Sequence, residues 1–141
     1  MPPHVEFAED ASSVVLGLAQ EGIAFSVHER DGRGVPTEVV VSVRDAGLHA
    51  EKPVVSHYAS GFEDLVVFVE SMEQDWRGWR GQRRYESLEG DLALTAEHDG
   101  HVRLTVELCE HIGWHVQADF TLEPGEQMAK SARQLRELLG G

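Results

Sequence analysis

The stretch Leu92-Ala93-Leu94-Thr95-Ala96-Glu97-His98-Asp99-Gly100-His101-Val102-Arg103-Leu104-Thr105-Val106-Glu107-Leu108 alternates apolar and polar residues on both sides of Asp99-Gly100. A period of two belongs to a β-strand with one buried face, and Asp-Gly between two such runs is a strong hairpin signal. The stretch therefore reads as an antiparallel pair closed by a two-residue turn, with His98 and His101 flanking it. Downstream, Trp114, Val116, Ala118, Phe120 and Leu122 share the next alternating face. Val102, Leu104 and Val106 are expected to point at the same core as Trp114, Val116 and Phe120, because register and period together set the inward side. Pro124 then opens a helix in which Met128, Ala132, Leu135 and Leu139 fall in line, with Gly140 placed to close it.

The preceding half repeats this order. Gln20 to Asp31 alternates around Phe25 and Val27, Val39, Val41 and Val43 alternate with Ser42 and Arg44, and Leu48 to Val55 is a weaker strand. The period then changes: Phe62, Leu65, Val69, Met72 and Trp76 recur at helical spacing, and Ser60 with Glu63 forms a capping-box pattern. The spacing predicts a helix over 61–76. Sliding Glu21-Gly22 onto Glu89-Gly90 also lays Glu29 on Glu97 and Asp31-Gly32 on Asp99-Gly100; beyond a short insertion, Ser42-Val43 meets Thr105-Val106. Residues 12–76 and 82–140 thus read as one unit of strands followed by a helix, used twice. Strands with one apolar face need a cover, which two amphipathic helices supply. The expected fold is α+β, with antiparallel sheet covered by two helices in a single domain over 1–141.

Composition bounds the function. The 141 residues suit one globular core. Asp and Glu number 25 against 12 Lys and Arg, a formal net charge of -13. That field repels nucleic acid and anionic membranes and attracts basic proteins. Cys109 is the lone cysteine, so no internal disulfide forms. Met1 to Asp10 carries Glu6, Glu9 and Asp10 and lacks the basic and apolar regions of a secretory signal. No apolar run approaches the roughly 18 residues of a membrane span. A cytoplasmic location is expected.

The most unusual segment is Asp75-Trp76-Arg77-Gly78-Trp79-Arg80-Gly81-Gln82-Arg83-Arg84-Tyr85, with four of the twelve basic residues and two of the three tryptophans. Trp and Arg are enriched at interface hot spots, and Arg stacks on indole. One reading is a recognition surface built on Trp79, Arg80 and Arg83, with the acids Glu97 and Glu107 on exposed strand faces. The other has Trp76 ending the helix inside the core, Gly78 and Gly81 turning the chain, and the arginines pairing with nearby acids. His98, His101, His111 and His115 match no zinc spacing and read as solvated, so no metal or cofactor is expected. Cys109 with His111 or His115 offers a nucleophile and base by residue type only, and reads better as a plain surface or edge cysteine. Glu86, Glu89 and Asp91 read as solvated acids around a turn rather than an acid and base pair. Asp31-Gly32-Arg33-Gly34 lacks the lysine and context of a phosphate loop. No catalytic signature is present, and the protein is not expected to be an enzyme.

The runs Trp76-Arg77-Gly78-Trp79, Tyr85-Glu86-Ser87-Leu88-Glu89-Gly90-Asp91-Leu92 and His98-Asp99-Gly100-His101-Val102 resemble an uncharacterised bacterial family found mainly in actinobacteria. The similarity runs through Leu122-Glu123-Pro124-Gly125-Glu126 and more loosely over the first half. Tyr85 stands where that family often has Trp. Its members are similar in size and charge to immunity proteins that neutralise toxins, and no catalytic residues are carried over. The resemblance implies a protein-binding module that covers a basic toxin domain; from the hot-spot character of Trp and Arg, Trp79 and Arg80 are expected to contribute more to binding than the acidic faces. A small-ligand binder using an open sheet face, or an enzyme of unrecognised type, are the alternatives.

Overall fold

The structure is a computed structural model that describes residues 13–18 and 20–140. Its elements run β1 Ser13–Gly17, β2 Gly22–Arg30, β3 Pro36–Asp45, β4 Leu48–Val55, α1 Glu63–Gln74, β5 Arg83–Glu86, β6 Leu92–His98, β7 Val102–Cys109, β8 His115–Leu122 and α2 Glu126–Leu139. They form two four-stranded sheets, β1-β2-β3-β4 and β5-β6-β7-β8, with every neighbouring pair antiparallel. Neither sheet closes into a barrel. Each half is thus a four-strand meander followed by a helix, and the sequence alignment above lays β2 on β6 and β3 on β7.

The alternation places its residues as expected in the central strands. Val102 pairs with Leu122, Leu104 with Phe120 and Val106 with Ala118, all buried on one face of the second sheet. In the first sheet Ile23 faces Val43, Phe25 faces Val41 and Val27 faces Val39. These inward rows, with Leu65, Val69 and Met72 of α1 and Leu135 of α2, make one contiguous core across both sheets. Each fully buried aliphatic or aromatic side chain adds about 1.5–3 kcal/mol.

Four local expectations are corrected. The β6–β7 connection has three residues, not two: His98 pairs with Val102, the Asp99 N–H donates to the His101 carbonyl (3.1 Å), and Gly100 supplies the positive φ of 98° at the apex. Trp114 lies beyond the last ladder pair, Cys109 with His115, so no strand covers it and it is 37% exposed. The capping box does not form: Phe62 is the N-cap of α1 and Ser60 takes part only through its carbonyl, while the Glu63 carboxylate accepts from Arg136 instead (2.8 Å). The helix is consequently shorter than 61–76, and Trp76 lies outside it. Gly140 closes α2 as expected, in extended conformation at φ -74°, its N–H donating to the Arg136 carbonyl (2.8 Å). Finally, β1 was not anticipated, because five residues with only Val14 and Leu16 inward are too few to show a period.

Two polar clamps join the halves. Arg136 of α2 donates from Nε and from an Nη to the two oxygens of Glu70 on α1 (2.9 and 2.7 Å), and from its other Nη to Glu63. This fork holds the Glu70 carboxyl below its ordinary range and the guanidinium above its own. The second clamp, Lys52 with Asp91, is buried and is described below. No helix among the described residues is long and apolar enough to cross a membrane.

Candidate functional site

Residues 75–82 leave the end of α1 and lead into β5, and the structure divides their side chains into two groups. Trp79 is partly buried against the core. The Arg83 guanidinium lies over its ring at 4.4 Å, and the edge of the His98 ring meets it at 5.2 Å between centroids. Arg83 also donates to Asp75 (2.6 Å) and to the Ser71 carbonyl (2.9 Å), tying β5 to the last turn of α1. His98 completes this tie: its Nε2–H donates to the Trp76 carbonyl (2.8 Å) while Nδ1 accepts from the Gly100 N–H (3.1 Å). Both ring nitrogens are engaged, which leaves no lone pair for a metal. Trp79 and Arg83 therefore serve as scaffold.

The other group faces solvent. Trp76 is 48% exposed rather than inside the core, and Arg77 lies 5.0 Å from its ring centroid. Arg80 is exposed and makes no ion pair or hydrogen bond among the described residues. Of the arginines expected to pair with neighbouring acids, Arg83 and Arg84 do so, with Asp75 and Glu86. Gly78 holds the loop at φ 139°.

Glu97 and Glu107 lie elsewhere, on the outer face of the second sheet, which no helix among the described residues covers. Glu97 accepts from Gln82 (2.7 Å) and stands opposite Arg103; Glu107 lies 3.8 Å from both Arg84 and His115. Period two explains the separation: Tyr85 is inward, so Arg83 leans to the helix side and Arg84 to the outer face. Trp79 and Arg83 thus lie toward the core and α1, whereas Glu97 and Glu107 lie on the outer face of the second sheet.

Three features were not read from the sequence. The first corrects the view of Asp91 as a solvated acid: it is 2% exposed, and its Oδ2 lies 2.9 Å from Lys52 Nζ. The Ser87 hydroxyl donates to Oδ1 (2.6 Å) and itself accepts from the Leu92 N–H (3.0 Å), and Glu110 approaches Lys52 at 3.5 Å. Burial pushes the Asp91 carboxyl up, but the Ser87 hydrogen bond and the Lys52 ammonium outweigh it and hold the group below its ordinary range. Burial likewise works to lower Lys52, and Asp91 with Glu110 raises it. A signal existed: Lys52 occupies the same parity as Val54, opposite inward Val41, so its side chain had to enter the core. The second feature is His28, Glu29 and Glu38, whose ligating atoms lie within 4.8 Å of one another at an irregularity between β2 and β3. His28 and Glu29 are exposed, and His28 already bonds Glu38 at 2.7 Å. The third is a groove of about 480 Å³ lined by β1, the ends of β3 and β8, and the first turns of α2. Cys109, by contrast, is half-buried opposite His115 in the ladder, with no hydrogen bond between the two side chains.

The chain belongs to a family described as a family of unknown function (DUF6228), whose model matches residues 14–141. No curated protein and no solved structure matches the chain.

Proposed function

We propose that the protein acts by binding another protein, as a small acidic module of the immunity type that covers the working surface of a basic toxin domain. The observation that carries this reading is the exposed trio of Trp76, Arg77 and Arg80. In a chain with 25 acids, an arginine without a carboxylate partner among the described residues and an indole standing in solvent make an anchor for a partner rather than for the protein itself. Truncating such an anchor costs about 2 kcal/mol or more, roughly thirtyfold in affinity. Scattered acids such as Glu97 and Glu107 instead raise the association rate and make it salt-dependent. The likeness to immunity proteins rests on size and charge.

The test is native purification from the source organism, identification of the bound protein, and affinity measurement with Trp76→Ala and Arg80→Ala. Both side chains are exposed, so the variants should remain folded by circular dichroism. Each should lose about thirtyfold in affinity, whereas Glu97→Gln and Glu107→Gln should mainly slow association at low salt. Full affinity in folded Trp76→Ala and Arg80→Ala, or no bound protein under native conditions, would sink the reading.

A further inference from the structure

We propose that the groove between the end of β1, β8 and the start of α2 is a binding site for a small organic cation with an apolar body, of which an alkylammonium is the simplest member. This site is separate from the Trp76–Arg80 surface, and either can fail without the other. Its volume of about 480 Å³ lies within the range of about 300–1,000 Å³ usual for small-ligand sites. Its walls are apolar: Leu16, Phe120, Leu122 and Met128 line it, and Leu18, 69% exposed, stands at the mouth.

The charge around these walls selects the occupant. Glu21, Asp45, Asp119 and Glu123 all line the groove, and among the described residues no Lys or Arg does. Only Glu123 has a side-chain partner among the described residues, the exposed His101 imidazole at 2.9 Å. An anion would meet four carboxylates there with no compensating cation, and a neutral ligand would leave their field unused. A protonated amine with an apolar tail satisfies both parts at once, the tail against Leu16, Leu18, Phe120 and Leu122 and the head toward Glu21 and Asp45.

The experiment titrates n-octylamine into ¹⁵N-labelled protein at pH 7 and constant ionic strength, beside octanoate, ammonium chloride and the peptide acetyl-Leu-Lys-Leu-amide. Octylammonium should saturate with amide shifts confined to Gly17, Leu18, Thr121, Leu122 and Gln127. It should bind at least tenfold more tightly than octanoate or ammonium. Leu18→Ser and Glu21→Gln, both at exposed positions, should each weaken it fivefold or more with an unchanged circular dichroism spectrum. Equal binding of octanoate, shifts spread over the whole acidic surface, or indifference to both substitutions would overturn the assignment. Tenfold tighter binding of the peptide than of octylammonium would also overturn it, by giving the groove to a protein segment.

Discussion

The two halves share a meander and a helix but present different outer faces to solvent. The outer face of the first sheet sets the small side chains Val15, Ala24, Ser26, Val40 and Ser42 beside Arg44, His49 and Glu51 near one end, whereas that of the second carries Arg84, Glu86, Glu97, Arg103, Glu107 and Asp119 around a central Thr95 and Thr105. The helices differ too. In α1 the five buried side chains, Leu65, Val66, Phe68, Val69 and Met72, are all apolar, while the six that α2 buries, Met128, Ser131, Ala132, Leu135, Leu138 and Leu139, include a hydroxyl. Topology needs only the inward period, so the outward positions are free to diverge. The joint between halves is where each depends on the other. The first half contributes Lys52, Glu63 and Glu70, and the second contributes Asp91 and Arg136.

The strongest way to break this comparison is to remove one partner of the buried pair. Asp91→Ala leaves the Lys52 ammonium with only the more distant and more exposed Glu110, at 3.5 Å, and should destabilise by about 3 kcal/mol in urea unfolding. A Lys52→Met, Asp91→Leu double variant should recover most of that loss; failure to recover would mean that the pair does more than neutralise itself. The same joint has a pH signature. The Asp91 carboxyl is depressed, so its contribution is complete above its unfolded value of about 3.9 and is lost as pH falls through the lower folded value. Lys52 is raised, so its contribution is complete below about 10.4 and is lost only as pH rises through the higher folded value. Wild type should therefore lose stability below about pH 4 more steeply than the double variant, as measured by unfolding midpoints across pH.

Core truncations test whether the halves unfold together. Phe25→Ala in the first sheet and Leu104→Ala in the second should each cost about 3 kcal/mol, because both side chains are fully buried. Since one core spans both sheets, either change should move a single transition seen by near- and far-ultraviolet dichroism alike. Two separated transitions would make the halves independent domains. The smallest effect belongs to Ser60→Ala, expected within about 0.5 kcal/mol of wild type, because the hydroxyl caps nothing. A loss of about 1 kcal/mol would restore the capping box in solution.

Local periodicity carried much of the architecture. Leu92 to Leu108 announced β6, β7 and the turn between them, Leu65, Val69 and Met72 announced α1, and Met128, Leu135 and Leu139 announced α2, because burial of one face imposes a period that neighbouring residues must obey. The hairpin's third residue, the unformed cap at Ser60 and the exposure of Trp114 escaped, since each depends on what lies opposite at the end of an element.

From residues alone followed the α+β class, the antiparallel pairing, the two covering helices and the acidic field, all of which are properties of adjacent positions or of the sum over the chain. Tertiary structure alone decided that Trp79 and Arg83 became scaffold while Trp76 and Arg80 faced solvent, that Asp91 met Lys52, and that Leu16, Phe120 and Met128 opened a groove under four carboxylates. Lys52 and Asp91 are 39 positions apart in the chain and 2.9 Å apart in space. Such a meeting leaves no period in the sequence, because it is set by how one sheet closes on the other.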